Sequence, residues 1–204
     1  MKTNIKRPAW FYNKELKTLQ YGLKKNFKDH KATIIINNED VFIMEWRNKN
    51  GSSNYYIKYV LDKKLGVFMV YGDLGESIAY WYSPLEVTDI ASFVYDIWYY
   101  KGKIKTGNVY TRYYDDIEYD LKEYLKEYFG EEKLNEKGQK EYEAINEYLD
   151  YGEYDEYSLH EQLADYIEAE VLGDIGVRLN QRVYLWAAGF LLACEQLEII
   201  KLVD

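Results

Sequence analysis

The apolar pattern of this 204-residue chain changes once, near residue 84, and that change constrains its fold class most. Before it, short apolar and β-branched runs alternate with turn residues. Strands are expected at Ala32–Asn37, Val41–Arg47, Tyr55–Leu61, Val67–Tyr71 and Ser77–Tyr82. The connections Asn38–Asp40, Asn48–Asn54, Asp62–Gly66 and Gly72–Gly75 are short and turn-like, the spacing of an antiparallel meander. A helix over Asn13–Phe27 precedes them, with Leu16, Leu19 and Leu23 at helical spacing.

After residue 84 the period lengthens. Ser83-Pro84-Leu85-Glu86 reads as a helix start, with Ser83 as cap, Pro84 at the first helical position and Glu86 closing a capping box. Val87, Ile90, Val94 and Trp98 form the buried stripe that follows. Further helices are expected at Asp115–Phe129, Gly138–Tyr151, Ser158–Leu172 and Asn180–Leu197. Ser158 with Glu161 offers a second capping box, and Gly173 a C-cap. Strands followed by helices give an α+β fold. It has an antiparallel β-meander of about five strands over residues 32–82, one helix before it and a helical C-terminal half. The helices are expected on one face of the sheet. The chain reads as a single domain, residues 1–204. Residues 1–112 supply the basic helix, the sheet and its first packing helix, and 113–204 the acidic helical part.

Charge is segregated along this frame. Residues 113–170 hold 20 Asp or Glu, five Lys and no Arg, a net −15, so the remainder must carry +6 for the total of −9. Eleven of the 24 tyrosines lie in the same stretch. Within it Asp116, Asp120, Glu123, Glu127 and Glu131 are spaced to line one helical face, beside an apolar stripe of Ile117, Leu121, Tyr124 and Tyr128. Neighbouring acids on such a face stand about 5–6 Å apart, and their like-charge pairs together cost about 1–2 kcal/mol. Two readings stand side by side. The row is a solvated face that keeps the protein soluble. Or it imitates a nucleic-acid backbone and enters an Arg/Lys-lined groove of a partner, gaining from counterion release as DNA does. Tyrosine favours interfaces, and Tyr148–Tyr157 mixes rings and acids most densely. The candidate partner-binding residues are therefore Asp116, Asp120, Glu123 and Glu127, with Tyr148, Tyr151, Tyr154 and Asp155.

Other chemistry has little to stand on. His160-Glu161 opens a zinc-protease pattern, but Ala164 stands where the second His is required. No phosphate-binding glycine motif or calcium loop occurs, and no metal, cofactor or catalytic residue is expected. The single Cys194 excludes an intrachain disulfide and fits a reducing cytosol. It reads as a buried inert thiol, and His30 and His160 as surface imidazoles. Val183–Cys194, the longest apolar run, is 12 residues and too short for a bilayer, so it reads as a buried helix. No signal peptide is visible, and a cytoplasmic location without membrane contact is expected. A net-acidic chain is repelled by nucleic acid. Residues 1–31, with nine Lys or Arg and two acids, are the local exception and read either as a nucleic-acid contact or as an ordinary lysine-faced helix.

Two segments carry a resemblance. Tyr71–Ser83 (YGDLGESIAYWYS) and Ile175–Leu197 (IGVRLNQRVYLWAAGFLLACEQL) resemble an uncharacterised protein of phages and prophages of Gram-positive bacteria. Those relatives share a GD-x-G-x-A hairpin and a late helix with an R…GL..A..QL pattern. Gly72, Asp73 and Gly75 match the hairpin, while Ser77 and Ala79 shift its small position. Arg182, Gly189, Ala193, Gln196 and Leu197 match the helix, with Phe190 in place of Leu. The two segments span under a fifth of the chain. The resemblance implies a phage origin and the fold, in the cytoplasm of an infected or lysogenic host. By analogy with small acidic phage proteins that inhibit host defence, it suggests an anti-CRISPR role, with a CRISPR effector nuclease as partner. The alternatives are a structural or housekeeping phage protein, a homo-oligomer joined through Trp98, Tyr99 and Tyr100, and a metal-dependent enzyme using the carboxylates.

Overall fold

A computed structural model describes residues 3–129, 134–152 and 154–203. The fold is α+β, and its centre is a six-stranded antiparallel sheet in sequential order. In chain order the first elements are β1 (Thr3–Lys6), a 3₁₀ turn (Ala9–Tyr12) and α1 (Lys17–Tyr21). Next come β2 (His30–Asn37), β3 (Val41–Asn48), β4 (Ile57–Asp62), β5 (Val67–Gly72) and β6 (Gly75–Tyr80). Helices α2 (Val87–Tyr95) and α3 (Ile97–Lys103) lead to β7 (Ile104–Thr106) and β8 (Tyr110–Arg112). Then follow α4 (Tyr114–Phe129), α5 (Glu136–Tyr151), α6 (Glu156–Leu163) and α7 (Ala169–Asp174). Last are β9 (Val177–Leu179), α8 (Gln181–Gln196) and β10 (Ile200–Val203). The sheet runs β2-β3-β4-β5-β6-β7; β1 pairs in parallel with β10, and β8 antiparallel with β9.

By sequence the chain is one domain whose two parts meet once, near residue 112. The structure divides it twice, into one compact unit of residues 1–109 and 180–204 and a second of 110–179. Helix α8 thus belongs with the sheet and not with the acidic helices. By formal charge the second unit has 21 acids and seven bases, a net −14; the first has 14 acids and 19 bases, a net +5.

In the first unit, alternate residues turn Phe42, Met44 and Trp46, then Ile57, Tyr59 and Leu61, then Phe68 and Val70 into the core. Helix α8 lies against β2, β3 and β4 on that face and is buried nearly all round. A helix apolar on every side can exist only inside a core. Gly189 lets it approach: a Cβ there would stand 2.5 Å from Tyr59 Oη and 3.0 Å from Ile57 Cδ1. Tyr59 in turn donates its hydroxyl to the Trp186 carbonyl at 2.9 Å.

Several expectations are corrected here. The first helix is a short α1 that widens into a π-helical turn at Gly22–Asn26 and tightens into a 3₁₀ turn at Phe27–Asp29. Helix α2 starts at Val87, because Glu86 is the cap and closes a box with Asp89. Trp98 is 62% exposed, and Ile97 takes the inward place. Asp155 and Ser158 form the capping box of α6. The helix expected at 158–172 is two, and Gly173 lies inside α7. The left-handed C-cap is Gly152, φ +73°.

Candidate functional site

The second unit builds its own core from Ile117 and Leu121 of α4, Ile145 and Tyr148 of α5, Leu159 and Leu163 of α6, and Leu172 and Ile175. Docking Ile117 and Leu121 inward fixes the rotation of α4. It sets Asp120, Glu123, Tyr124, Glu127 and Tyr128 along one side of a groove, with Val171, Asp174 and Ile175 on the other. The groove holds about 310 Å³. Tyr124 and Tyr128 meet with ring centroids 4.5 Å apart. Tyr124 donates its hydroxyl to Glu141 at 2.7 Å, and burial, then that carboxylate, holds the phenol well above its ordinary range. Tyr128 is exposed. Carboxylates beside exposed π-faces are suited to a guanidinium or ammonium group.

One end of the row is committed internally. Asp120 accepts from Arg178 Nη1 at 2.8 Å and Nη2 at 2.6 Å, and from the Gly176 N–H at 2.8 Å. Arg178 Nε also stands 3.6 Å from Asp116. These contacts raise the guanidinium pKa further, with the Asp120 hydrogen bond as the leading cause. Gly176 has φ +74°, and a Cβ on it would meet Ile117 at 2.5 Å, so only glycine offers its N–H there. Glu123 pairs with Lys126, Glu118 with Lys122 and Glu136 with Lys140. Glu131 lies outside the described residues.

The expected tyrosines do not gather. Tyr148 is fully buried, its hydroxyl 3.4 Å from Ser158 Oγ, so it is a core residue and not a contact. Tyr154 is half-buried and donates to the Leu149 carbonyl at 2.8 Å. Tyr151 is exposed at the end of α5. Asp155 is exposed but caps α6, accepting the Ser158 N–H at 2.7 Å. Within Tyr148–Tyr157, Glu153 lies outside the described residues. Sequence reasoning missed Asp174, because the helix expected at 158–172 stops short of it. It also missed Arg178; the only signal was that 110–179 holds just two arginines.

His30 is buried, contrary to expectation. Its Nε2 stands 3.1 Å from the Tyr55 carbonyl, and burial lowers its pKa. Cys194 is buried, and desolvation pushes its thiol up. Among the described residues, no group of three or more His, Cys, Asp or Glu could hold a metal, and no helix is long and apolar enough to cross a membrane. No known protein family, curated protein or solved structure matches the chain.

Proposed function

We propose that this chain is a non-enzymatic phage protein that inhibits a bacterial CRISPR effector nuclease by occupying its DNA-contacting cationic surface. The observation that supports the reading is the convergence of Asp120, Glu123, Glu127 and Asp174 on one groove beside Tyr124 and Tyr128, in a unit of net charge −14. An effector holds its nucleic acid through Arg and Lys, and an anionic surface competes for those groups. The choice of a CRISPR effector rests on the resemblance of Tyr71–Ser83 and Ile175–Leu197 to phage proteins, and the protein then acts in the host cytoplasm. The reading requires no cofactor, no membrane and no direct contact with nucleic acid.

The contact set is narrower than the sequence implied. Glu123, Glu127, Asp174 and Tyr128 are its centre, with Tyr151 and Asp155 farther along the unit. Asp120 and Asp116 hold Arg178, and Tyr148 holds the core. The test is DNA cleavage by purified RNA-guided nucleases with the chain present, over a series of salt concentrations. Inhibition should weaken steeply as salt rises and vanish in Glu123→Lys/Glu127→Lys, with far-ultraviolet circular dichroism unchanged. Inhibition that survives both charge reversals removes the groove from the mechanism, and no inhibition of any effector removes the partner.

The self-pairing of Glu118, Glu123, Glu136 and Asp120 favours a second reading, in which the acids only solvate a structural or housekeeping phage protein. Under it, a host-lysate pull-down returns no cationic partner that salt releases.

A further inference from the structure

A cavity of about 680 Å³ opens in the first unit, where the 3₁₀ turn at Ala9–Tyr12, the junction of α2 with α3, and α8 meet. Small-molecule sites are of this size, about 300–1,000 Å³. Trp10, Tyr95, Trp98 and Tyr184 line it, together with Asp96 and Asn13. The rings are held in place. Trp10 Nε1–H donates to the Tyr95 carbonyl at 3.1 Å, and its ring meets Tyr184 edge-on with centroids 5.6 Å apart. Trp98 sits in the first turn of α3, which Asp96 caps: Oδ1 accepts the Trp98 and Tyr99 N–H groups, each at 3.1 Å. One carboxylate oxygen serves both bonds. Oδ2 has no partner among the described residues, and Asp96 is exposed.

The lining chemistry selects a ligand. Asp96 is its one charged residue, so an anion finds no Lys or Arg there and a cation finds a carboxylate. Tyr184 is only 8% exposed, yet its hydroxyl has no hydrogen-bond partner among the described residues and is not sealed from solvent. A hydroxyl on so buried a side chain is answered from the cavity side. Aromatic faces attract cations through the ring quadrupole, most strongly where water is excluded. A bare ammonium is tightly hydrated, whereas alkyl groups on the nitrogen weaken that hydration. Trp98 already attracts one cation, Lys101 Nζ at 5.6 Å from its centroid, but Lys101 does not line the cavity. We propose that this cavity binds an organic cation bearing an alkylated ammonium group. The aromatic rings and the Asp96 carboxylate hold the charge, and the Tyr184 hydroxyl bonds a polar group on the body of the ligand. The site lies in the first unit and does not depend on the acidic groove.

Titration of the full chain with choline, followed by the proton resonance of its N-methyl groups, tests the site. Tetramethylammonium is the second probe. The control is 3,3-dimethylbutan-1-ol, which has the shape of choline with carbon in place of the charged nitrogen. Choline and tetramethylammonium should bind saturably in the millimolar range or tighter, with their methyl signals shifted upfield by the ring faces. The neutral alcohol should bind at least about tenfold more weakly. Asp96→Asn keeps a residue that caps as well as Asp and removes only the charge, so it should weaken both cations about tenfold with an unchanged thermal transition. Trp98→Ala, at an exposed position, should do the same. Tyr184→Phe should weaken choline and leave tetramethylammonium as it was. No saturable shift with either cation up to tens of millimolar overturns the proposal. So does equal binding of the neutral alcohol, or cation binding that survives both Asp96→Asn and Trp98→Ala.

Discussion

Removing the Asp120 carboxylate should loosen the second unit, because that group closes a clasp across 56 residues of chain to Gly176. Asp120→Ala removes a backbone acceptor and both arms of a bidentate ion pair. Hydrogen bonds to charged groups contribute about 1.5–3 kcal/mol each when shielded from water. Here the Arg178 and Asp120 side chains are 38% and 21% exposed, so water replaces part of what is lost. Asp116, 3.6 Å from Arg178, takes over another part. The net cost is then about 2 kcal/mol. With a urea slope of about 2 kcal/mol/M, the midpoint falls by about 1 M. Hydrogen exchange at the Gly176 amide should quicken about thirtyfold, the same energy read locally. A cycle with Arg178→Ala should give a coupling of at least about 1 kcal/mol. A midpoint shift under about 0.2 M, with no coupling, would show that the clasp contributes nothing and that Asp120 is free for a partner. The same reasoning excludes Asp120→Lys as a binding probe, since lost binding and a loosened fold would look alike.

Gly189→Ala should destabilise the first unit by about 1–3 kcal/mol in a denaturant titration, because the new methyl meets Tyr59 and Ile57; an unchanged midpoint would mean that the helix can shift. Burial holds the His30 pKa below its ordinary 6.5. The unfolded chain therefore binds the proton more readily, so this contribution is fully present above 6.5 and is lost as pH falls through the lower folded value. His30→Phe should flatten the stability–pH curve on the acid side of 6.5, and an identical slope would remove His30 as its cause. The Cys194 thiol should resist an aromatic disulfide reagent in the native protein and react fully in denaturant; prompt native reaction would contradict its burial.

Local rules in the sequence carried much of the fold. Five meander strands could be read because period-2 alternation and turn residues act within a few positions. The β5–β6 hairpin at Gly72–Gly75 is an instance. Helix α8 was legible as a buried helix from its uninterrupted apolar run. Strands β1 and β10 were not legible: each has four residues, and their partners lie nearly 200 positions apart, Thr3 against Ile200. Capping was read one turn off at both sites, because Ser83 and Glu86, or Ser158 and Glu161, satisfy the same spacing rule as the pairs that form. Only packing selects between them.

For the candidate site, the sequence determined that Asp120, Glu123 and Glu127 share a face, since helical period is a local property of α4. It could not separate Tyr148 from Tyr151: both sit in the same tyrosine-rich run, and only the docking of α5 buries one and exposes the other. Nor could it reveal Arg178, which reaches the acidic row through the β8–β9 pairing and the turn at Gly176. Composition sets how much charge a chain must solvate. Which charges are answered from within, and which stay open to a partner, depends on contacts between residues far apart in sequence, and those exist only once the chain has folded.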